Sequence, residues 1–319
     1  MKSLTVSIVN YRTPQLVVEC VASLKRFPPS RATLAIAVVD NASGDDSVSV
    51  IARQCPDIQL IASPDNLGFG GGNNLILRGL RSDYVLLLNS DAQVEAGTLD
   101  RLIEVLEQQP KVGAVSGRVV NASDGADQDF PCRFPSLTQM VKRMLTGPQF
   151  PADGQSAPVS LERLHGACML IRGELLQSVG LFDEGFFMYD EDVDWCVRAR
   201  NAGWELLLVP DARILHHGGS SSGRAPAGQR LQAPSETALR MRYELRRSRY
   251  RLYRKHRSLA EVLLLKLLTD LVMLAASAKT LLAAVLQPAR REEARALLRA
   301  NARVMSINPL RIEVADHGV

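Results

Sequence analysis

Between Phe187 and Arg200 the chain crowds four acids, Asp190, Glu191, Asp192 and Asp194, into five positions at a helix start. Such crowding repels itself unless a cation, a helix N-terminus or a basic substrate offsets it. A bland origin is also open, because acids are favoured in any first helical turn and Asp194 stands four residues before Arg198. Two more polar clusters, each at the end of an apolar run, weigh towards a site. These are Asn89-Ser90-Asp91 and His216-His217. A carboxylate directly after a buried strand, as Asp91 is, suits a hard divalent cation bridging it to a diphosphate, since such cations take oxygen ligands and keep positions open for substrate. The alternative for Asp91 is a simple turn acid.

The elements that must position these groups follow from the hydrophobic pattern. Short β-branched or aliphatic runs at 4–9, 34–39, 58–61, 84–88 and 112–119 alternate with helical stretches at 14–25, 45–54, 71–81 and 96–108. That alternation predicts βαβ units in an α/β fold with a mainly parallel sheet. Ligands of open α/β sheets bind beyond the carboxyl ends of the strands. Here those ends carry Asn10-Tyr11, Asp40-Asn41-Ala42-Ser43 and Asn89-Ser90-Asp91. Residues 121–160, rich in Pro, Asp, Gly and Ser, read as a long excursion over the active face. Order resumes with a strand at 164–171, a short helix at 174–179, the acidic helix at 191–201 and a strand at 205–209. The composition break at 220–234 divides a catalytic domain, 1–234, from a C-terminal region, 235–319.

At 319 residues and 46% hydrophobic, the chain can bury the core of one large domain with an appendage. The five cysteines show no C-x-x-C spacing and no clustering, which disfavours a zinc site or a disulfide framework and fits a reducing cytoplasm. The early apolar run is broken by Asn10, Tyr11 and Arg12, too soon for a signal-peptide core. The net charge of +4 conceals an asymmetry. From Arg240 onward 17 Lys/Arg face 7 Asp/Glu, leaving 21 against 27 for residues 1–239.

Single motifs stay ambiguous. Asp40 through Asp45 reads either as an Asx turn capping the next helix or as a carboxylate for a nucleobase edge or ribose. The run Asn66-Leu67-Gly68-Phe69-Gly70-Gly71-Gly72-Asn73-Asn74 looks like a phosphate cradle, although it is neither a Walker A loop nor a dinucleotide fingerprint. Trp195 reads either as an acceptor platform or, as an aromatic one turn into a helix, as core.

Taken in order, Ser7–Tyr11, Val38–Ser43, Asn66–Asn74, Leu88–Asp91, Gly166–Leu170, Phe182-Asp183-Glu184 through Arg198, and His216–Ser221 resemble glycosyltransferase family 2, and within it the rhamnosyltransferase-like group. The resemblance runs from Val6 to about Ser222. It implies a GT-A fold, Rossmann-like, and an inverting transfer from a nucleoside-diphosphate-sugar, with L-rhamnose or another hexose as the sugar, to a glycan or polyprenyl-linked acceptor in cell-surface polysaccharide synthesis. On that basis Asp192 is the catalytic base. Asn10, Tyr11, Asp40, Asn41, Asn66, Gly68, Asn74, Asn89 and Asp91 line the donor site. Asp91 and His216 hold Mg²⁺ or Mn²⁺, with His216 preferred to His217 because it matches the H-x-x-G-x-S spacing. Glu191, Asp194, Trp195 and Gly166 are assigned weaker acceptor or orienting parts. Asn89 departs from the Asp that opens the stricter D-x-D motif, one carboxylate fewer for the metal. Two rivals are a catalytically silent nucleotide-sugar-binding scaffold, disfavoured by the presence of both Asp91 and Asp192, and a nucleotidyltransferase, disfavoured because no basic Gly-rich loop follows Val9.

The C-terminal region carries nine Arg or Lys between Arg240 and Arg257, interleaved with Tyr243, Tyr250 and Tyr253. No nucleic-acid-binding motif accompanies them, so nucleic acid is not expected as a partner. An anionic membrane surface fits better, because a long apolar stretch follows at 259–286. Lys266, Asp270 and Lys279 interrupt that stretch, and a central charge costs about 2.5–3.5 kcal/mol on insertion scales. With Lys266, Thr269, Asp270, Ser277 and Thr280 near one face, it reads as an amphipathic helix lying in the membrane plane, peripheral on the cytoplasmic face. The plain alternative is a helical hairpin packed on protein.

Overall fold

The computed structural model describes residues 1–128, 132–147, 157–218 and 235–312. The composition break at 220–234 lies outside them. The chain forms two compact units, one of Met1–Glu184 with Glu191–Ser221 and one of Gly185–Asp190 with Ser222–Val319.

In the first unit the strands are β1 (Lys2–Asn10), β2 (Ala32–Asn41), β3 (Gln59–Ser63), β4 (Tyr84–Leu88), β5 (Ala92–Val94), β6 (Val112–Asn121), β7 (Val159–Ser160), β8 (Cys168–Arg172) and β9 (Glu205–His216). The helices are α1 (Pro14–Arg26), α2 (Ser47–Gln54), α3 (Gly68–Leu77), α4 (Thr98–Gln108), α5 (Leu137–Thr146), α6 (Gly173–Val179) and α7 (Glu191–Asn201). The sheet runs β3-β2-β1-β4-β8-β6-β9-β5, with β7 also on β9. Pairing is parallel through β3, β2, β1 and β4, and again between β6 and β9, while β8, β5 and β7 enter antiparallel. This is a GT-A fold with a mixed, mostly parallel sheet.

Both faces of the sheet are covered, which is why its central strands read as unbroken apolar runs. Along β4, Leu86 and Leu88 join one core with β1, α1 and α4, whereas Val85 and Leu87 join a second with β8, α6 and α7. The five cysteines are free thiols. Burial pushes Cys168 and Cys196 up to about 12, which leaves them unreactive packing residues.

Chain order reverses around β1, whose neighbours are β2 on one side and β4 on the other. The crevice at their carboxyl ends is the topological switch point where open α/β sheets bind ligands. Two non-glycine residues there, Arg12 and Ala42, hold left-handed φ of 60° and 57°. Such conformations cost about 1–3 kcal/mol each and persist only where their surroundings fix them.

Several expectations change. The Gly-rich stretch is no open cradle: Gly70, Gly71 and Gly72 lie inside α3, and a Cβ on Gly72 would stand 2.9 Å from Val9 Cγ1. Gly72 lets the helix approach β1 closely, while Gly70 faces Phe182 and Glu191. The strand expected at 164–171 begins only at Cys168, whose N–H closes a turn by donating to His165 O at 3.2 Å. The excursion at 121–160 contains α5 and β7 and a turn at 121–128; its residues 129–131 and 148–156 lie outside the described ones.

In the second unit α8 (Glu236–His256), α9 (Leu259–Leu286) and α10 (Arg291–Met305) pack on one another. A capping box starts α9, with the Glu261 N–H donating to Ser258 Oγ and the Ser258 N–H to Glu261 Oε2. The polar stripe of α9 faces its neighbours rather than solvent: Lys266 pairs with Asp270 and donates to Met305 O at 2.9 Å, and Ser277 Oγ accepts from Asn301 Nδ2 at 3.1 Å. What α9 exposes instead is apolar, including Leu263, Leu264, Leu267, Leu271, Leu274 and Leu282. Among the described residues no helix is long and apolar enough to cross a membrane.

Much of the basic run on α8 is engaged by packing. Arg249 grips both oxygens of Asp190, at 2.6 and 3.0 Å, and buried Arg251 lies over the Phe186 ring. A Cβ on Gly185 would stand 1.9 Å from Arg251 Cζ, so a side chain there would displace the guanidinium. Of the nine basic residues, Arg240, Arg242 and Arg257 are the exposed ones.

Candidate active site

The polar floor of the crevice begins at the ends of β1 and β2. Asp40 Oδ1 accepts from Asn10 Nδ2 at 2.7 Å and from Ser43 Oγ at 2.6 Å, and its Oδ2 accepts from the Ser43 N–H at 3.2 Å. Asn10 Oδ1 in turn accepts from the Thr13 N–H, which ties the entry of α1 to the same network. The Asx turn and the buried carboxylate are therefore one object. Tyr11 lies beside it, with the Arg12 guanidinium 5.1 Å from its ring centre.

Asn41 and Asn66 hold the loop before α3. Asn41 Nδ2 donates to Asn66 Oδ1 and Gly68 O, and Asn41 Oδ1 accepts from the Leu67 N–H. Gly68 has φ of +72°, and its N–H donates to Asn66 Oδ1. Asn74 departs from its expected place at the nucleotide. Its Nδ2 donates to Phe182 O and Glu184 Oε1, and its Oδ1 accepts from the Phe182 N–H, so the amide is spent on anchoring 182–184.

Asp91 and His216 are brought together by a strand too short to see in the sequence. β5 pairs with β9 so that Ala92 faces His216, and the His217 N–H donates to Asp91 O at 3.0 Å. Asp91 Oδ1 then lies 3.1 Å from His216 Nε2, both side chains buried. His217 is exposed. Asn89 Nδ2 stands 3.1 Å from the same His216 nitrogen.

The spacing of Asp91 and His216 fits a divalent cation. Two atoms each about 2.1 Å from an octahedral cation in adjacent positions lie about 3 Å apart, and the 3.1 Å between Asp91 Oδ1 and His216 Nε2 matches. Among the described residues no three His, Cys, Asp or Glu side chains form a closed metal site. A cation held by this pair would need further oxygen ligands, which a diphosphate can supply.

The acidic run is partitioned by its partners. Asp190 is taken by Arg249 within the C-terminal unit, and Asp194, fully buried, accepts from Arg198 Nε at 3.1 Å. Arg198 also donates to the carbonyls of Val179 and Leu181, so Asp194 braces the start of α7 from inside. Glu191 is buried with its side chain against the glycine face of α3. That leaves Asp192. Its Oδ1 accepts from the Val193 N–H at 2.8 Å and its Oδ2 from the Gly166 N–H at 3.1 Å, and the Arg163 guanidinium comes within 3.8 Å. Gly166 is hemmed in, since a Cβ there would lie 3.3 Å from the Phe69 ring.

Trp195 is a correction. It is 0% exposed, packs against Phe182 and donates Nε1–H to Gly180 O at 3.1 Å. A residue so enclosed is core and presents no ring to an acceptor.

Three residues at the site went unnoticed in the sequence. His165 sits within electrostatic range of Asp192, Asp91 and His216, with its ring edge-on to that of His216 at 6.4 Å. Burial pushes His165 down to about 4, against the pull of Asp192, and its Nδ1 accepts from the Ala167 N–H. Arg163 and Gln128 are the others. A polar residue inside the apolar 161–171 stretch was the available signal for the first two; Gln128, in a polar loop, gave none.

A model of the glycosyltransferase like family 2 matches residues 2–246. The chain belongs to that family. It is 31% identical over 215 residues to the N-acetylglucosaminyl-diphospho-decaprenol L-rhamnosyltransferase of Mycobacterium tuberculosis, covering 61% of this chain and 70% of that one. It is 29% identical over 162 residues to the rhamnosyltransferase WbbL of Escherichia coli K12, covering 47% of this chain and 61% of the relative. Among solved structures, the mannosyltransferase PcManGT of Pyrobaculum calidifontis, in complex with GDP-Man and Mn²⁺, superposes with a TM-score of 0.55 at 19% identity, covering 95% of this chain and 85% of that one. This last likeness is one of fold. The family 2 membership makes the chain a glycosyltransferase, and its relatives place it near the rhamnosyltransferases.

Proposed function

We propose that this glycosyltransferase transfers a sugar, L-rhamnose or another hexose, with inversion from a nucleoside-diphosphate-sugar to a polyprenyl-linked glycan in cell-surface polysaccharide synthesis. The observation that carries the reading is the meeting, at the carboxyl ends of β1, β2 and β4, of two separately built polar centres, Asp91 with His216 and Asp192 with Gly166. The rhamnose donor and lipid-linked acceptor are supported by the names of the relatives.

In this reading Asp40 and the Asn10–Ser43 network receive the nucleoside, while Asn41, Asn66 and Gly68 shape the loop beside it. Asp91 and His216 would hold Mg²⁺ or Mn²⁺, which when bound offsets the charge that builds on the leaving diphosphate. Asp192 takes the proton of the acceptor hydroxyl as its oxygen attacks the anomeric carbon from the face opposite the diphosphate. Two backbone N–H donors fix the plane of that carboxylate and leave lone pairs on both oxygens for the incoming proton. A positioned base of this kind contributes about 10²–10⁴-fold.

The same proposal places the enzyme at the inner face of the cell membrane. Its support is the exposed leucines of α9 together with exposed Arg240, Arg242 and Arg257 in the basic run before it, a combination that suits an anionic bilayer. Full burial of each leucine side chain contributes about 1.5–3 kcal/mol.

A thermal-shift panel of dTDP-, UDP- and GDP-sugars with and without Mn²⁺, followed by turnover on a polyprenyl-diphosphate-sugar, tests the reading. Ligands that bind the native state raise its melting temperature. Absence of stabilisation by every sugar nucleotide in the presence of metal would sink it.

A further inference from the structure

His216 is held by one side chain in two places. Gln128 Nε2 donates to the backbone carbonyl of His216 at 2.8 Å, and Gln128 Oε1 lies 2.8 Å from His216 Nδ1. A carbonyl can only accept, so the amide nitrogen must face it. The amide oxygen is then the atom that meets the ring, and it too can only accept. His216 Nδ1 must therefore carry the proton. Beside the other ring nitrogen Asn89 Nδ2 stands 3.1 Å from Nε2, a donor that is compatible with an unprotonated Nε2 and that a cation would displace. Gln128, whose amide is oriented by the His216 carbonyl, thus sets the tautomer and leaves Nε2 unprotonated 3.1 Å from Asp91 Oδ1.

The tautomer needs an external cause, because it works against the local charge. With the proton on Nε2 the ring would donate to the Asp91 carboxylate 3.1 Å away, a charge-assisted bond stronger than an ordinary one. Gln128 opposes that arrangement from a rigid mount. Its backbone N–H donates to Val119 O at 3.0 Å, the turn before it is closed by Gly125 N–H to Asn121 O and Asn121 N–H to Ala126 O, and Arg118 forms a two-pronged ion pair with Asp127. The side chain also has room reserved for it: Gly218 has φ of +66°, and a Cβ there would stand 3.3 Å from Gln128 Nε2.

We infer that Gln128 is a positioning residue that locks His216 as its Nδ1–H tautomer, so that Nε2 and Asp91 Oδ1 stand ready as a nitrogen–oxygen pair for the divalent cation of the donor. A ligating histidine commonly gives its other N–H to an oxygen acceptor, and loss of that partner costs about 10–100-fold in metal affinity. This step rests on the proposed role of Asp91 and His216, and its test separates the two.

The full-length metal-free protein, labelled with ¹⁵N-histidine, is observed by long-range ¹H–¹⁵N correlation about two pH units above the ordinary imidazole pKa of 6.5, with the His216 signals assigned by their loss in His216→Asn. Wild type should show a protonated Nδ1 and a bare Nε2. Gln128→Met, similar in length and lacking both polar atoms, should shift His216 towards the Nε2–H form and weaken Mn²⁺ binding in the presence of UDP or dTDP by about 10–100-fold. Gln128→Glu keeps an acceptor for Nδ1 and should restore the wild-type tautomer, which also serves if the methionine variant folds poorly. An Nδ1–H tautomer that persists in Gln128→Met, or its absence from wild type or Gln128→Glu, would overturn the inference. So would a shifted tautomer with unchanged Mn²⁺ affinity. If wild type binds nucleotide equally with and without Mn²⁺, the metal reading of Asp91 and His216 fails, and with it the cation-binding purpose given to Gln128.

Discussion

Asp91 and His216, 125 residues apart in the chain, meet at 3.1 Å because three residues after Asp91 form a strand on the end of β9. That pairing sets Ala92 opposite His216 and leaves His217 on the solvent side. Nucleotide titration in the presence of Mn²⁺ should show a large loss of metal-dependent affinity in Asp91→Ala and His216→Ala and a small one in His217→Ala. A greater loss in His217→Ala would reverse the assignment.

Asp192→Asn should keep donor binding and lose turnover by roughly two to four orders of magnitude, since the amide retains the shape and gives up proton acceptance. The amide oxygen can keep one of the two backbone donors, from Val193 or Gly166, while the NH2 group gives up the other, so the melting temperature of the variant is recorded beside its activity. Steady-state turnover beside nucleotide-sugar affinity measures both, and turnover like wild type would remove Asp192 from the role of base.

His165 imposes a pH dependence on stability. Burial pushes it down to about 4 from an ordinary 6.5, so the unfolded chain takes up its proton first. The stability that the neutral ring contributes is complete above about pH 6.5 and is lost as pH falls through about 4. Melting temperatures recorded from pH 7 to pH 4 should decline, and less steeply in His165→Asn, whose side-chain oxygen can still accept from Ala167. Parallel profiles for the two proteins would exclude His165 as the source.

On α9, Leu267→Glu together with Leu271→Glu should weaken binding to vesicles containing anionic lipid while nucleotide-sugar binding is unchanged. Both side chains are more than half exposed, at 55% and 52%, so little packing is lost. Co-sedimentation with vesicles checks it. Equal sedimentation of variant and wild type would mean that something other than a bilayer covers this face.

Much of the fold could be read from the chain because β1 to β4 and helices α1, α4 and α7 each carry their own periodicity. The acidic helix was placed at Glu191–Asn201, where it lies. What could not be read depends on distant partners. β5 has three residues, too few for any period, and exists because β9 supplies its hydrogen bonds. Glycines that look like an anion loop lie inside a helix, where Gly72 meets Val9 and Gly70 meets Phe182, contacts that only the folded chain reveals. Likewise the four acids looked equivalent until Arg249 and Arg198 claimed two of them. His165 was marked only by its polarity within an apolar stretch and Gln128 not at all, since the importance of each lies in what faces it.

The six residues Gly185–Asp190 fold with the C-terminal helices although the chain on both sides of them belongs to the catalytic unit. Tyr189 and Asp190 hold consecutive left-handed conformations, and the grip of Arg249 on Asp190 and the Ser248 hydroxyl on Met188 O come from α8. The helical region is therefore no detachable cassette. A hybrid that takes its sugar-transfer domain from one enzyme and its C-terminal helices from another inherits a mismatch two residues before Asp192, unless the short loop travels with the helices. Exchange between such enzymes, in the laboratory or in descent, has to move two separated stretches of gene together.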